Sequence, residues 1–237
     1  MASTQFVTFG LQHLVATGLV VGGSAALVVG VRRAGSARLD RAMRWALAAA
    51  CVGFEASDLV SRATAPGALW QDALPLHLCD LTMLLAPVVL LGANRHAFEL
   101  LYFWGLGGAA QSLATPTLYS GFPAPICVCF FVGHGLIIAS ALYAAAVLRR
   151  RPGRWAVPRV WGITVAYGLL VLPVNLALGT NYLYIAHKPP TPSLLDWLGP
   201  WPWYLLSLQP VIVLVLVLCQ LPFLVASRRS RSHAAGP

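Results

Sequence analysis

Residues 74–91 read LPLHLCDLTMLLAPVVLL. An imidazole (His77), a thiol (Cys79) and a carboxylate (Asp80) stand together at the head of a run that is almost all apolar as far as Leu91. Pro75 suits a first helical turn, where its missing N–H leaves nothing unpaired, and the pattern predicts a helix over 76–92. Ionisable side chains where a helix enters apolar surroundings are expensive, and by default they mark function. A thiol in the first turn feels the positive end of the helix dipole, which favours the thiolate. The adjacent Asp80 carboxylate opposes a second negative charge. His77 and Asp80 are three residues apart and share a face. Cys79 is about 200° from His77 around a regular helix, so a Cys–His pair needs a histidine from another helix.

The rest of the chain is built to the same solvent. Hydrophobic residues make up 58% and charged residues 10% of it, and the mean hydropathy is +0.73; a soluble domain carries about 25% charged residues. Several apolar runs approach the length of about 20 residues that a membrane-spanning helix needs. The expected fold is an all-α membrane protein, a bundle of seven transmembrane helices over roughly 9–31, 43–61, 76–92, 97–114, 126–148, 160–179 and 202–225. Residues 1–237 read as a single polytopic domain without internal repeats. Leu11–Val31 has neither a basic flank before it nor a small-residue cleavage pattern after it, so it reads as a spanning helix.

The net charge of +9 is distributed by side. Arg32, Arg33, Arg38, Arg41 and Arg44 fall between helices one and two, Arg95 between three and four, and Arg149, Arg150, Arg151, Arg154 and Arg159 between five and six. Arg228, Arg229 and Arg231 follow helix seven, and only Arg62 and Lys188 fall on the opposite side. The positive-inside rule then puts the N-terminus outside and the C-terminus in the cytoplasm, which requires an odd number of helices. A bacterial plasma membrane is the expected location. A basic charge arranged this way suits anionic lipid headgroups and excludes nucleic acid as the partner. Five cysteines, four of them inside predicted helices, are no disulfide framework. Cys127 and Cys129 form a C-x-C at the outer end of helix five, to be read as small apolar residues or as a metal pair.

Further polar residues join the opening motif. Glu55, Asp58 and Arg62 share one face of helix two, either as an ion-paired ladder or as carboxylates orienting a catalytic imidazole or a headgroup. Helix four combines aromatics with Gly105, Gly107 and Gly108, a close-packing pattern, and carries Gln111. His134 stands well inside helix five, and Gly133 and Gly135 are expected to leave room beside its ring. Asn175 closes helix six. The loop after it is rich in Pro, Trp and Tyr, and is either an interface belt or a lid. Asn181, Tyr182, Trp201 and Trp203 are its candidates for substrate contact. Glu55, Asp58, His77, Cys79, Asp80, Gln111, His134 and Asn175 all fall in the outer halves of their helices. The inner halves look nearly free of polar groups, Gln220 being the main exception. This predicts a polar cavity opening outward or sideways into the outer leaflet.

The stretches LPLHLCDL, FELLYFWGLGGAAQSLATP, FFVGHG and GTNYLY…KPP…SLLDWLGPWPWY resemble the YwaF-type integral membrane family, related to the transmembrane protein 164 family. The resemblance runs from helix three to helix seven and is weak in helix one. It implies a bundle like that of the androgen-induced multi-pass lipid hydrolases. By the transmembrane protein 164 branch, it also implies a cysteine-dependent phospholipid acyltransferase with Cys79 as nucleophile and His134 as its partner histidine. Asp80 directly after the cysteine is the bacterial-type variant of the motif. The partners so implied are membrane lipids, a phospholipid acyl donor and an acceptor, with no cofactor.

Three functions compete. In a lipid acyltransferase or acyl hydrolase, Cys79 with His134 would form a thioester, and Asn175, Gln111 or first-turn N–H groups of helix three would hold the oxyanion. A metal-dependent hydrolase would use His77, Asp80, His134 and a helix-two carboxylate, although no HxxxH or HExxH pair is present. A transporter or receptor-like binder would need only the cavity, but lacks the repeats and broken mid-helices typical of transporters.

Overall fold

A computed structural model describes residues 5–234, and the side-chain surroundings of 5–226. The side chains of Arg228, Arg229 and Arg231 therefore lie outside the described residues. The chain is all-α: α1 (Leu11–Ala34), α2 (Ala37–Thr64), α3 (Leu78–Leu91), α4 (Arg95–Phe103), α5 (Ala110–Ala114), α6 (Pro125–Ala146), α7 (Ala156–Leu178) and α8 (Trp203–Ala234). A π-helical turn, Trp104–Ala109, joins α4 to α5, so these three pieces form the one helix expected at 97–114.

Among the described residues, four helices are long and apolar enough to cross a membrane: α1, α6, α7 and the Trp203–Ala226 part of α8. The helix α3 is apolar but runs for only 14 residues. The helix α2 extends over 28 residues and starts earlier than the apolar pattern suggests. Ser36 caps it, its hydroxyl accepting the Leu39 N–H at 3.3 Å.

The helix α6 is central, with α1, α2, α3 and α4 packed around it. Between apolar helices in lipid, close packing and hydrogen bonds replace the hydrophobic effect as the source of association. Gly105 lets the π turn approach α6 so closely that a Cβ there would stand 3.1 Å from Ile137. Side chains also tie α4 and the π turn to the outer helices. The Tyr102 hydroxyl donates to the Cys219 carbonyl at 3.0 Å, and the Trp104 indole N–H to Thr164 at 2.9 Å. The regular helix expected through WGLGGA is interrupted there. Three glycines in five residues (105–109) hold α-geometry weakly, and π turns of this kind concentrate where a helix must re-aim its face.

The bundle has two polar ends. At one, α1 begins, α2 ends, α3 begins, α5 ends, α6 begins and α7 ends. His13 is buried there: its Nδ1 accepts the Phe9 N–H at 2.8 Å and its Nε2 meets the Leu113 carbonyl at 2.6 Å. At the other end lie the arginine-rich connections.

That second end corrects the expectation of inner halves almost free of polar groups. Glu99 of α4 is fully buried, accepting the Gly153 N–H at 2.9 Å and pairing with Arg159, with Arg95 at 3.4 Å. Gly153 lets the Arg95 guanidinium lie against the backbone here: a Cβ would stand 1.8 Å from an Arg95 nitrogen, and that flexible side chain would have to move aside. Gln220 donates to the Gly153 carbonyl at 3.0 Å. Tyr143, also fully buried, donates to the Asp40 carboxylate at 2.7 Å.

Candidate functional site

The site begins with how α3 starts. Its first residue is Leu78 and His77 is the N-cap, so Pro75 precedes the helix instead of opening it. Asp80 then occupies the third helical position, and its Oδ2 accepts the His77 backbone N–H at 3.0 Å, half of a capping box. The same carboxylate faces two other groups through Oδ1: the Cys79 thiol at 3.7 Å and an Arg62 nitrogen at 3.4 Å.

Arg62 is the hub of this end. Besides Asp80 it pairs with Asp58 at 2.9 Å and Glu55 at 3.8 Å. The ladder on α2 is thus real, and it is extended by a fourth member from α3. One guanidinium serves three carboxylates. Asp80 and Glu55 are both buried, and one Glu55 oxygen (Oε1) has no hydrogen-bond partner among the described residues. The cluster is short of cations, and its polar atoms are imperfectly matched: Arg62 Nε also makes no hydrogen bond among the described residues.

His77 and His134 have different surroundings. The His77 ring is packed edge-on against Tyr182 with centroids 5.0 Å apart, and lies 6.0 Å from Tyr184. The Leu183 N–H reaches its Nδ1 at 3.5 Å. His134 is carried by α6, which packs directly against α3. Its Nδ1 lies 2.8 Å from the Phe130 carbonyl, and its ring stacks obliquely on Phe130 at 4.3 Å. A carbonyl only accepts, so Nδ1 carries the proton and Nε2 holds a lone pair. No hydrogen bond joins His134 to Cys79 among the described residues.

Of the two glycines beside His134, Gly133 does not leave room for its ring. The space a Gly133 side chain would occupy is filled by Phe54 of α2, whose ring lies 2.7 Å from the ideal Cβ position, and Gly135 faces Val20 of α1. They are contact points for neighbouring helices, which fixes α6 and with it the imidazole.

The loop after α7 closes over this end. Asn175 is buried, and its carbonyl oxygen accepts from Thr180 and from the Tyr182 N–H, at 2.9 and 2.8 Å. Its amide donates to the Tyr182 carbonyl at 2.9 Å. Asn181 in turn gathers the Ala186 and His187 N–H groups, both at 3.1 Å. The Tyr182 hydroxyl donates to the Gln71 carbonyl, and burial pushes this phenol above its ordinary value, so it stays a donor. Tyr167 of α7 donates to the Leu76 carbonyl at 2.9 Å. The segment leading into α3 is therefore held from above by this loop and from the side by α7. Trp201 donates to the Ile185 carbonyl at 3.1 Å, while Trp203 presents most of its ring outward. Gln111 is exposed and turned towards Thr115 at 3.2 Å.

The structure thus brings Glu55, Asp58, His77, Cys79 and Asp80 together around Arg62, with His134 on the adjoining helix. Asn175, Asn181 and Tyr182 organise the cover. Arg62 was foreseen as a ladder residue, but its link to Asp80 joins α2 to α3 and leaves no periodic signal. Among the described residues no three His, Cys, Asp or Glu side chains converge as a metal ion would need. The C-x-C is divided by its helix: Cys127 is buried and Cys129 exposed.

A model of the TMEM164 family matches residues 8–220. The chain belongs to the TMEM164 family. The match takes in every residue of the Arg62 cluster, His134 and the covering loop, and it reaches α1, where the local motifs are weakest. No curated protein and no solved structure gives a significant match. Family membership and the apolar helices together make this an integral, multi-pass membrane protein.

Proposed function

We propose that this member of the TMEM164 family is a lipid acyltransferase or acyl hydrolase in which Cys79 is the nucleophile and His134 its base. One observation carries the reading. A thiol stands in the first turn of α3, and on the helix packed against it stands an imidazole whose tautomer leaves Nε2 free to take a proton. The activity is the one that the family resemblance implies.

The chemistry balances within these residues. His134 Nε2 takes the thiol proton as sulfur attacks the ester carbonyl of a phospholipid. The C–S bond forms and the ester C–O bond breaks. The departing alkoxide takes the proton from His134 and leaves as a lysophospholipid. An acceptor hydroxyl, of a second lipid or of water, then loses its proton to His134 and attacks the thioester. The C–S bond breaks and the thiol is restored. First-turn N–H groups of α3 are the donors of choice for the oxyanion; Asn175 is engaged by the loop. Asn181, Tyr182, Trp201 and Trp203 shape the entrance for a lipid through the loop they build. Glu55, Asp58, Asp80 and His77 set the charge and register of α3. The bundle spans the membrane seven times with the N-terminus outside and the C-terminus cytoplasmic, and the site opens towards the outer leaflet. Nothing beyond the protein and its lipids is required.

The test is turnover by protein reconstituted into vesicles containing a phospholipid with a labelled acyl chain. Wild type should release or transfer the label, Cys79→Ala should be inactive though folded, and Cys79→Ser should be much slower. Full activity in Cys79→Ala would refute the covalent mechanism.

A further inference from the structure

The arginine-rich end contains cations of two kinds. Arg95 and Arg159 pair with Glu99, Arg44 with Asp40, and Arg150 donates to the Gly92 carbonyl. Arg32, Arg149 and Arg151 have no ion pair or hydrogen bond among the described residues. These three converge from two elements, the last turn of α1 and the connection after α6, onto one crevice of about 470 Å³. Its remaining wall is apolar, made of residues such as Ala146, Pro222 and Phe223 from α6 and α8. It lies at the end of the bundle remote from Cys79.

Arg149 is held there against its backbone preference. It follows the end of α6 with φ +53°, in the left-handed region. The Arg150 N–H reaches back to the Ala144 carbonyl at 3.1 Å, which is the hydrogen bond of a helix-ending turn. The residue in that left-handed position is usually glycine, which alone fits without a steric penalty. An arginine retained in such a position, pointing into a crevice with two other unpaired arginines, indicates that its charge is needed.

We propose that this crevice binds the phosphate headgroup of an anionic phospholipid from the leaflet on the basic side of the membrane. Guanidinium groups match phosphate in shape and charge. The Ala146–Pro222–Phe223 wall receives the first carbons of the acyl chains, which a free phosphate lacks. All seven carboxylates of the chain lie outside the crevice, so nothing in it competes for the arginines. The site is independent of the Cys79 chemistry and serves to hold the protein on anionic lipid.

The experiment uses purified full-length protein in uncharged detergent micelles doped with fluorescent phosphatidylglycerol or phosphatidylcholine, and reads the retained lipid. Phosphatidylglycerol should be retained preferentially, and millimolar inorganic phosphate should not displace it. Arg149→Gly should weaken retention about fivefold, the effect of one arginine near a membrane surface, while thermal stability is unchanged or improved because glycine suits the backbone. Arg151→Gln should weaken binding similarly without touching the backbone. Arg33→Gln, one residue from the crevice, should change nothing. The proposal is overturned if both lipids are retained equally, if inorganic phosphate displaces the lipid, or if Arg151→Gln has no effect. It is also overturned if Arg33→Gln weakens binding as much as Arg149→Gly, since charge alone would then suffice.

Discussion

The two polar ends of the bundle solve opposite problems. At the Glu99 end one buried carboxylate has two arginines and a backbone N–H within reach, so both of its oxygens are hydrogen-bonded. At the Arg62 end one guanidinium is shared by Glu55, Asp58 and Asp80, and a buried Glu55 oxygen has no hydrogen bond. A fully paired carboxylate is a structural joint: it fastens α4 to α7 and to the α6–α7 connection. An unsaturated one, next to a thiol and two imidazoles, is held by the fold at some expense, and such arrangements gather where chemistry or binding is done.

This contrast can be broken by mutation. The largest stability effect should come from Glu99→Ala, which strands Arg159 and the Gly153 N–H. Loss of a buried partner of this kind costs about 3 kcal/mol or more, and a melting curve in detergent would record it, while lipid turnover per folded molecule should be unchanged. Asn175→Ala removes the loop's anchor and should cost about 2 kcal/mol. Limited proteolysis should then cut within 180–202 first, and turnover should fall because the cover over α3 is loosened. Tyr143→Phe should cost about 1 kcal/mol through the lost bond to Asp40, again with unaltered turnover. The smallest stability change belongs to Glu55→Gln, within about 0.5 kcal/mol, since the charge removed contributes only a long 3.8 Å ion pair to an Arg62 that also holds Asp58 and Asp80. Its turnover should nevertheless fall. A Glu55→Gln protein that melted as early as Glu99→Ala would erase the distinction between the two ends.

Much of the architecture was legible because it is written in runs and periods. The apolar stretches located most helix ends to within four residues but missed the first six residues of α2 and the last nine of α8, and the 3–4 spacing of Glu55, Asp58 and Arg62 placed them on one face. Features that depend on distant partners were not legible. Glu99 sits in the apolar-looking FELL, and its partners lie 54 and 60 residues away. Asp80 meets Arg62 across 18 residues and a turn. Gly133 looked like space beside His134 because sequence shows only the missing side chain, not that Phe54 fills the gap. The start of α3 shifted past Pro75 because the Asp80 carboxylate can cap only the N–H three residues before it.

The central claim is that the unsaturated end is a reaction centre with Cys79 as its nucleophile. Mass spectrometry of the peptide containing Cys79, after brief incubation of reconstituted protein with phospholipid and an acid quench, tests it most directly. An acyl group on the Cys79 sulfur, removed by neutral hydroxylamine and missing from the His134→Ala protein, is the predicted result. Sustained lipid turnover with Cys79 never acylated, or an acyl adduct that forms equally well on Cys129, would contradict it.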